Sequence, residues 1–254
     1  YVLMKNATPR DRVSMHLMVE AGSVHETDAQ QGLAHFLEHM VFNGSTHFPP
    51  GELVKYFQRI GMDFGPDANA STGFFKTVYD ILLPDGTQQS ISEGFVVLGD
   101  YAEGALLLEE EVDRERKVVL AEMRTRNTAD FRTFVAALKF ELPNDRISRR
   151  LPIGLKETLL AADQALLKEF YDTWYRPERM ILVMVGDFDT DAAQPMIREA
   201  FGGMAPRAPA RPVPDMGEVD HQGIRPFYHH EQESGSTDVT LQVIRNIPVT
   251  PDAF

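Results

Sequence analysis

With 254 residues, the chain is long enough to bury one sizeable hydrophobic core and part of a second domain. Its 38 acidic against 25 basic residues give a net charge of −13, which argues against nucleic acid and anionic membranes as partners, and no run approaches the ~18–20 apolar residues of a membrane span. The absence of cysteine excludes disulfides and thiol catalysis.

The opening Tyr1-Val-Leu-Met reads as the middle of a strand whose start lies upstream, so targeting information is not expected in it. Val13, Met15, Leu17 and Val19 alternate with Ser14, His16 and Met18, the pattern of a half-buried strand with His16 exposed. Ala21-Gly22-Ser23 ends it, and Thr27-Asp28 offers capping side chains for the next element. There, Leu33, Phe36, Leu37, Met40 and Val41 fall at i, i+3, i+4, i+7 and i+8, an apolar helical stripe. His35, Glu38, His39 and Phe42 repeat the spacing on the remaining face.

Two imidazoles one helical turn apart project side by side and suit two ligands of a tetrahedral Zn²⁺. Glu38 lies between them, placed to take a proton from a metal-bound water. A histidine pair alone fits a solvated surface as well as a metal site. The intervening Glu, the opposite apolar stripe and the Asn43-Gly44 helix stop favour metal. His25 and His47 lie in flanking loops and share no face with His35 and His39.

Pro49-Pro50-Gly51 precedes a short amphipathic helix from Glu52 to Ile60, and Lys76–Leu83 has the β-branched and aromatic content of a strand. A helical pattern runs from Gln88 to Gly99, followed by a helical or turn segment over 101–108. On a charged helix from Glu109 to Arg126, Val112, Glu115, Val118, Val119 and Glu122 share one face. A carboxylate on a face that must be buried requires a partner or a metal. Glu115 and Glu122 are about 10.5 Å apart along the axis, too far to share one ion, and periodicity does not choose between them. Helices are expected over 130–142, 156–175 and 191–201, with Phe170, Tyr171 and Trp174 in the core, and a buried strand over Met180–Val185. Residues 202–214 hold four prolines, a semi-rigid linker. Beyond it, Asp238–Val243 repeats the alternation of Arg12–Leu17, and His229-His230 reads as an exposed pair.

The run from Gly32 to Ser45, with its H-x-x-E-H order, resembles the active-site helix of the M16 (pitrilysin-type) zinc peptidases, the inverzincins. Asn69-Ala-Ser-Thr72, Glu115–Glu122, Arg150-Leu-Pro-Ile-Gly154, Trp174-Tyr-Arg-Pro177 and Val185-Gly-Asp187 follow in family order, with most likeness to the long bacterial PqqL-like members. The resemblance implies an α+β fold (LuxS/MPP-like metallohydrolase), a mixed, mainly antiparallel sheet with helices packed on one face. It implies one Zn²⁺ per chain on His35, His39 and Glu122, with Glu38 as general base and Glu115 as a supporting catalytic carboxylate. It also implies peptide binding at Asn69, Ala70 and Phe42. Family members usually carry an acidic residue where Lys76 stands, a departure that touches the local polar network and not the zinc site.

The expected function is a zinc endopeptidase acting on peptides or unfolded proteins, with this fragment alone weakly active or inactive, and a bacterial periplasmic location is implied by the likeness. The expected organisation is a catalytic module over 1–203, a linker over 204–222, and from 223 to 254 the start of a second homologous half that partners the first. A non-catalytic scaffold subunit is the competing reading, disfavoured because such members lose part of the motif. A zinc-dependent small-molecule hydrolase would need a narrow pocket instead of an open strand edge.

Overall fold

The computed structural model describes residues 1–245. Alternation sets the sheet. In β2 (Val13–Val19), the odd-numbered side chains are at most 2 % exposed, while Ser14, His16 and Met18 face the other way and stay half-buried. β2 pairs antiparallel on both sides, with β4 (Thr77–Leu83) and β5 (Met180–Gly186). β1 (Val2–Lys5) runs parallel to β5, and β3 (Ala68–Thr72) runs antiparallel to β4. The order β1-β5-β2-β4-β3 leaves β3 at an edge. The fold is α+β with a mixed, mainly antiparallel sheet, as expected.

Against this sheet α1 (Leu33–Met40) packs on β3 and β4, and α3 (Gln88–Gly99) on β2 and β4. α8 (Thr190–Phe201) lies against α3 and β1. Close approach of α3 depends on Gly94, where a Cβ would sit 2.6 Å from Met15 Sδ. α2 (Glu52–Arg59) adds Leu53 and Phe57 to the same core. α4 (Glu109–Arg126) and α7 (Gln164–Trp174) flank α1, and α5 (Ala129–Glu141) follows α4 after a two-residue break.

Two expectations change, and a third gains detail. The helix expected over 156–175 is two, α6 (Lys156–Ala161) and α7, because Asp163 accepts a hydrogen bond from the Leu166 N–H at 2.8 Å and starts a new helix. Residues 238–243 form no strand: Val239, Leu241 and Val243 are over 80 % exposed, and no ladder partner meets them among the described residues. An alternating segment without a neighbouring strand has nothing to pair with. Finally, the proline-rich stretch after α8 has no regular structure, yet it is pinned: Arg207 stacks 4.3 Å over Tyr171 and pairs with Asp172, and Arg176 donates to the Ala208 carbonyl.

Candidate metal centre

Burial of Leu33, Phe36, Leu37 and Met40, all fully enclosed, rotates α1 so that His35, Glu38 and His39 face away from the sheet core. Its N-terminus is not capped by Thr27 or Asp28, as the sequence suggested. Those residues serve the preceding turn at Asp28–Gln30, and Asp28 pairs with Arg150. The cap is Glu26, with no exposed surface, whose carboxylate accepts the Gly32 and Ala34 N–H groups at 3.0 and 2.9 Å. Burial raises the Glu26 carboxyl to about 8, while the two N–H donors, Arg150 and Arg146 pull the other way. At Gly154 (φ +73°) an added Cβ would collide with the Gly32 Cα and lie 2.5 Å from the Gln31 carbonyl, so the 150–154 loop abuts the start of α1.

α4 brings its acidic face to α1. His35 Nε2 and His39 Nε2 are 3.3 Å apart, and Glu122 Oε2 lies 3.5 and 3.3 Å from them. Donors at a Zn–N distance of about 2.1 Å in a tetrahedron are separated by about 3.4 Å, so the triangle fits that ion. Its donor chemistry fits too. Burial, then the neighbouring His39, holds the His35 imidazole at about 4, so it is neutral with a free lone pair. Its Nδ1 is buried and meets no hydrogen-bond partner among the described residues, while its Nε2 faces the other two donors.

Glu115 stands behind the triangle. Its Oε1 is 2.8 Å from His39 Nδ1 and its Oε2 accepts from Asn43 Nδ2 at 2.9 Å. Burial disfavours a charged His39, but the Glu115 hydrogen bond and the charges of Glu115, Glu38 and Glu122 prevail and raise its pKa. Asn43, read from the sequence only as a helix stop, also donates to the His39 carbonyl at 3.3 Å. Glu38 is 8 % exposed, and burial raises its pKa. Its Oε2 accepts from the Thr72 hydroxyl at 2.6 Å. Thr72 ends β3, so this contact ties Glu38 to the edge strand. Asn69 and Ala70 lie on that strand, Asn69 exposed and Ala70 half-buried. Phe42 is half-buried, its ring 5.1 Å from both Phe64 and Tyr101. Lys76 is exposed, and its carbonyl closes the β3–β4 turn.

The other histidines stay outside. His25 is buried edge-on against Trp174, His47 pairs with Asp100 at 2.8 Å, and His229 with Glu231 at 3.0 Å. His16 is half-buried instead of exposed, its Nδ1 on Asp80 and its Nε2 2.8 Å from Ser14 Oγ. This string has the atoms of a nucleophile relay. β2, however, is paired along its length on both sides, so its own backbone N–H groups are engaged in the sheet and not turned toward an oxyanion. The cluster satisfies its own polar groups on the open sheet face.

The sequence profile described as Insulinase (Peptidase family M16) matches residues 1–141, and that of the Peptidase M16 inactive domain matches 162–244. The chain belongs to the M16 peptidase family. The probable zinc protease PqqL of Escherichia coli is 36 % identical over 199 residues, 78 % of this chain and 21 % of that protein. A zinc protease PQQL-like of Arabidopsis thaliana is 31 % identical over 225 residues, 86 % of this chain and 24 % of that protein. The crystal structure of the first half of the periplasmic protease PqqL from Escherichia coli superposes with a TM-score of 0.81 at 33 % identity, covering 87 % of this chain and 47 % of that one. The chain thus spans about a fifth to a quarter of the length of these curated relatives.

Proposed function

We propose that this chain is the metal-binding module of a zinc endopeptidase that hydrolyses peptides or unfolded proteins, with one Zn²⁺ held by His35, His39 and Glu122. The observation that carries this reading is the donor triangle with a buried carboxylate, Glu38, on the same helix face. When bound, the ion polarises the scissile carbonyl and acidifies a water. Glu38 takes the proton from that water and passes it to the leaving amine, and burial, by raising its pKa, makes it a better base. Thr72 donates to Glu38 Oε2 and so helps hold the carboxylate in place. Glu115 holds His39 in the tautomer and orientation that present Nε2.

Substrate backbone adds to the free edge of β3 at Asn69 and Ala70, with Phe42 and its aromatic neighbours beside it. A second homologous half, beginning near residue 223 after a linker over 204–222, would complete the enzyme; the greater length of the relatives leaves room for it. The description of PqqL as periplasmic supports that compartment.

Glu38→Gln tests the reading. Zinc content is expected to stay near wild type, while hydrolysis of an unfolded protein falls about 10²-fold or more. Near-normal turnover in this variant, or a wild type without zinc, overturns it.

A further inference from the structure

The two oxygens of Glu122 have separate partners. Oε2 faces the imidazoles of His35 and His39, at 3.5 and 3.3 Å, while Oε1 is paired with Nη2 of Arg126 at 2.6 Å. A carboxylate with both oxygens free can close on a metal through both, which fills two coordination positions. A site with three protein donors and one place left for water needs the carboxylate to bind through one oxygen only. We propose that Arg126 is a positioning residue that keeps Glu122 a one-oxygen ligand, and so preserves the open position. This rests on the zinc reading above.

Arg126 lies four residues beyond Glu122, on the last turn of α4, where one helix face and the helix C-terminus both favour a cation. An exposed pair at this spacing ordinarily contributes little. This one differs because the Glu122 side chain is only 27 % exposed and its other oxygen closes the donor triangle. Every ion pair of Glu122 among the described residues is with one of these three side chains. Arg126 is therefore the contact that decides how the carboxylate is turned.

The test uses Arg126→Gln and Arg126→Lys in the full-length protein, read by chelator competition for zinc, by the visible spectrum after Co²⁺ substitution, and by the melting temperature of the metal-free form. Arg126 is half-exposed, so the metal-free forms are expected to melt together. Arg126→Gln should weaken zinc binding about tenfold to a hundredfold, the range for partners that orient a ligand. It should also weaken the intense four-coordinate Co²⁺ bands as the released oxygen adds a fifth donor. Arg126→Lys, which keeps the charge without the planar fork, should fall between. Zinc affinity within twofold of wild type together with unchanged Co²⁺ bands in Arg126→Gln overturns the proposal and leaves the zinc reading standing. A wild type that binds neither metal, with His39→Ala indistinguishable from it, overturns the zinc reading itself.

Discussion

Glu26 reaches into the first turn of α1 and takes the Ala34 N–H at 2.9 Å, in a position without any exposed surface. The two groups lie eight positions apart in the chain, and the hydrogen bond sets the helix N-terminus against a buried carboxyl group. Because His35 follows Ala34 directly, whatever fixes that turn also fixes the first imidazole.

Glu26→Ala is expected to destabilise the protein by about 2–4 kcal/mol, the cost of leaving two buried N–H donors without an acceptor. Urea unfolding measures this directly. A loss below about 0.5 kcal/mol would show that water or another group replaces the carboxylate.

The two acidic positions of α4 should separate in a metal-binding assay. Glu122→Gln and His39→Ala should each abolish tight zinc binding. Glu115→Gln, which keeps an oxygen toward His39 Nδ1, should weaken it by about 10–100-fold. The opposite ranking of Glu115 and Glu122, by chelator competition, would exchange their roles.

Acid should act on the fold through His25. Burial first, then Arg179 and Arg146, depress its pKa from 6.5 to about 4. Between those values the unfolded chain binds a proton that the folded one refuses. The stability His25 contributes is therefore complete above pH 6.5 and is lost as the pH falls toward 4, by about 1.4 kcal/mol per pH unit. His25→Gln keeps an acceptor for the Gly22 N–H but does not titrate, so its urea midpoint should fall less steeply from pH 6.5 to 5. Parallel curves would remove His25 as the cause.

Gly154→Ala should cost more than an ordinary glycine substitution. The residue sits at φ +73°, and a methyl group there meets the Gly32 backbone, which cannot move without displacing α1. A melting temperature within a degree of wild type would mean the loop has freedom to withdraw.

The sequence makes legible those parts whose geometry repeats. The apolar stripe of α1 determined which face carries His35, Glu38 and His39, and the alternation in β2 separated Met15 and Leu17 from Ser14 and His16. Strict periodicity could not choose between Glu115 and Glu122. That needed the family pattern, and the structure places Glu122 in the donor triangle and Glu115 behind His39. Glu26 escaped notice because it caps from six residues before Gly32, across an intervening turn. Asn43 and Arg126 were hidden for another reason: each has an ordinary local role, as a helix stop and as a surface charge, that already accounts for its identity. Asp163 broke a helix that hydrophobic spacing carried through, since one side-chain acceptor at the right turn outweighs continuity of pattern.

The stretch after α8 has the composition of a semi-rigid spacer and is built as a brace. Arg207 lies flat on Tyr171, Arg211 reaches Glu169, and Met216 accepts the Arg146 N–H, so the chain is fastened to α7 and to the loop after α5 at successive points. The brace therefore joins the segment ending at Met216 to α7, which itself packs on α1. Residues 207–216 are thus one contact layer away from the helix that carries His35 and His39.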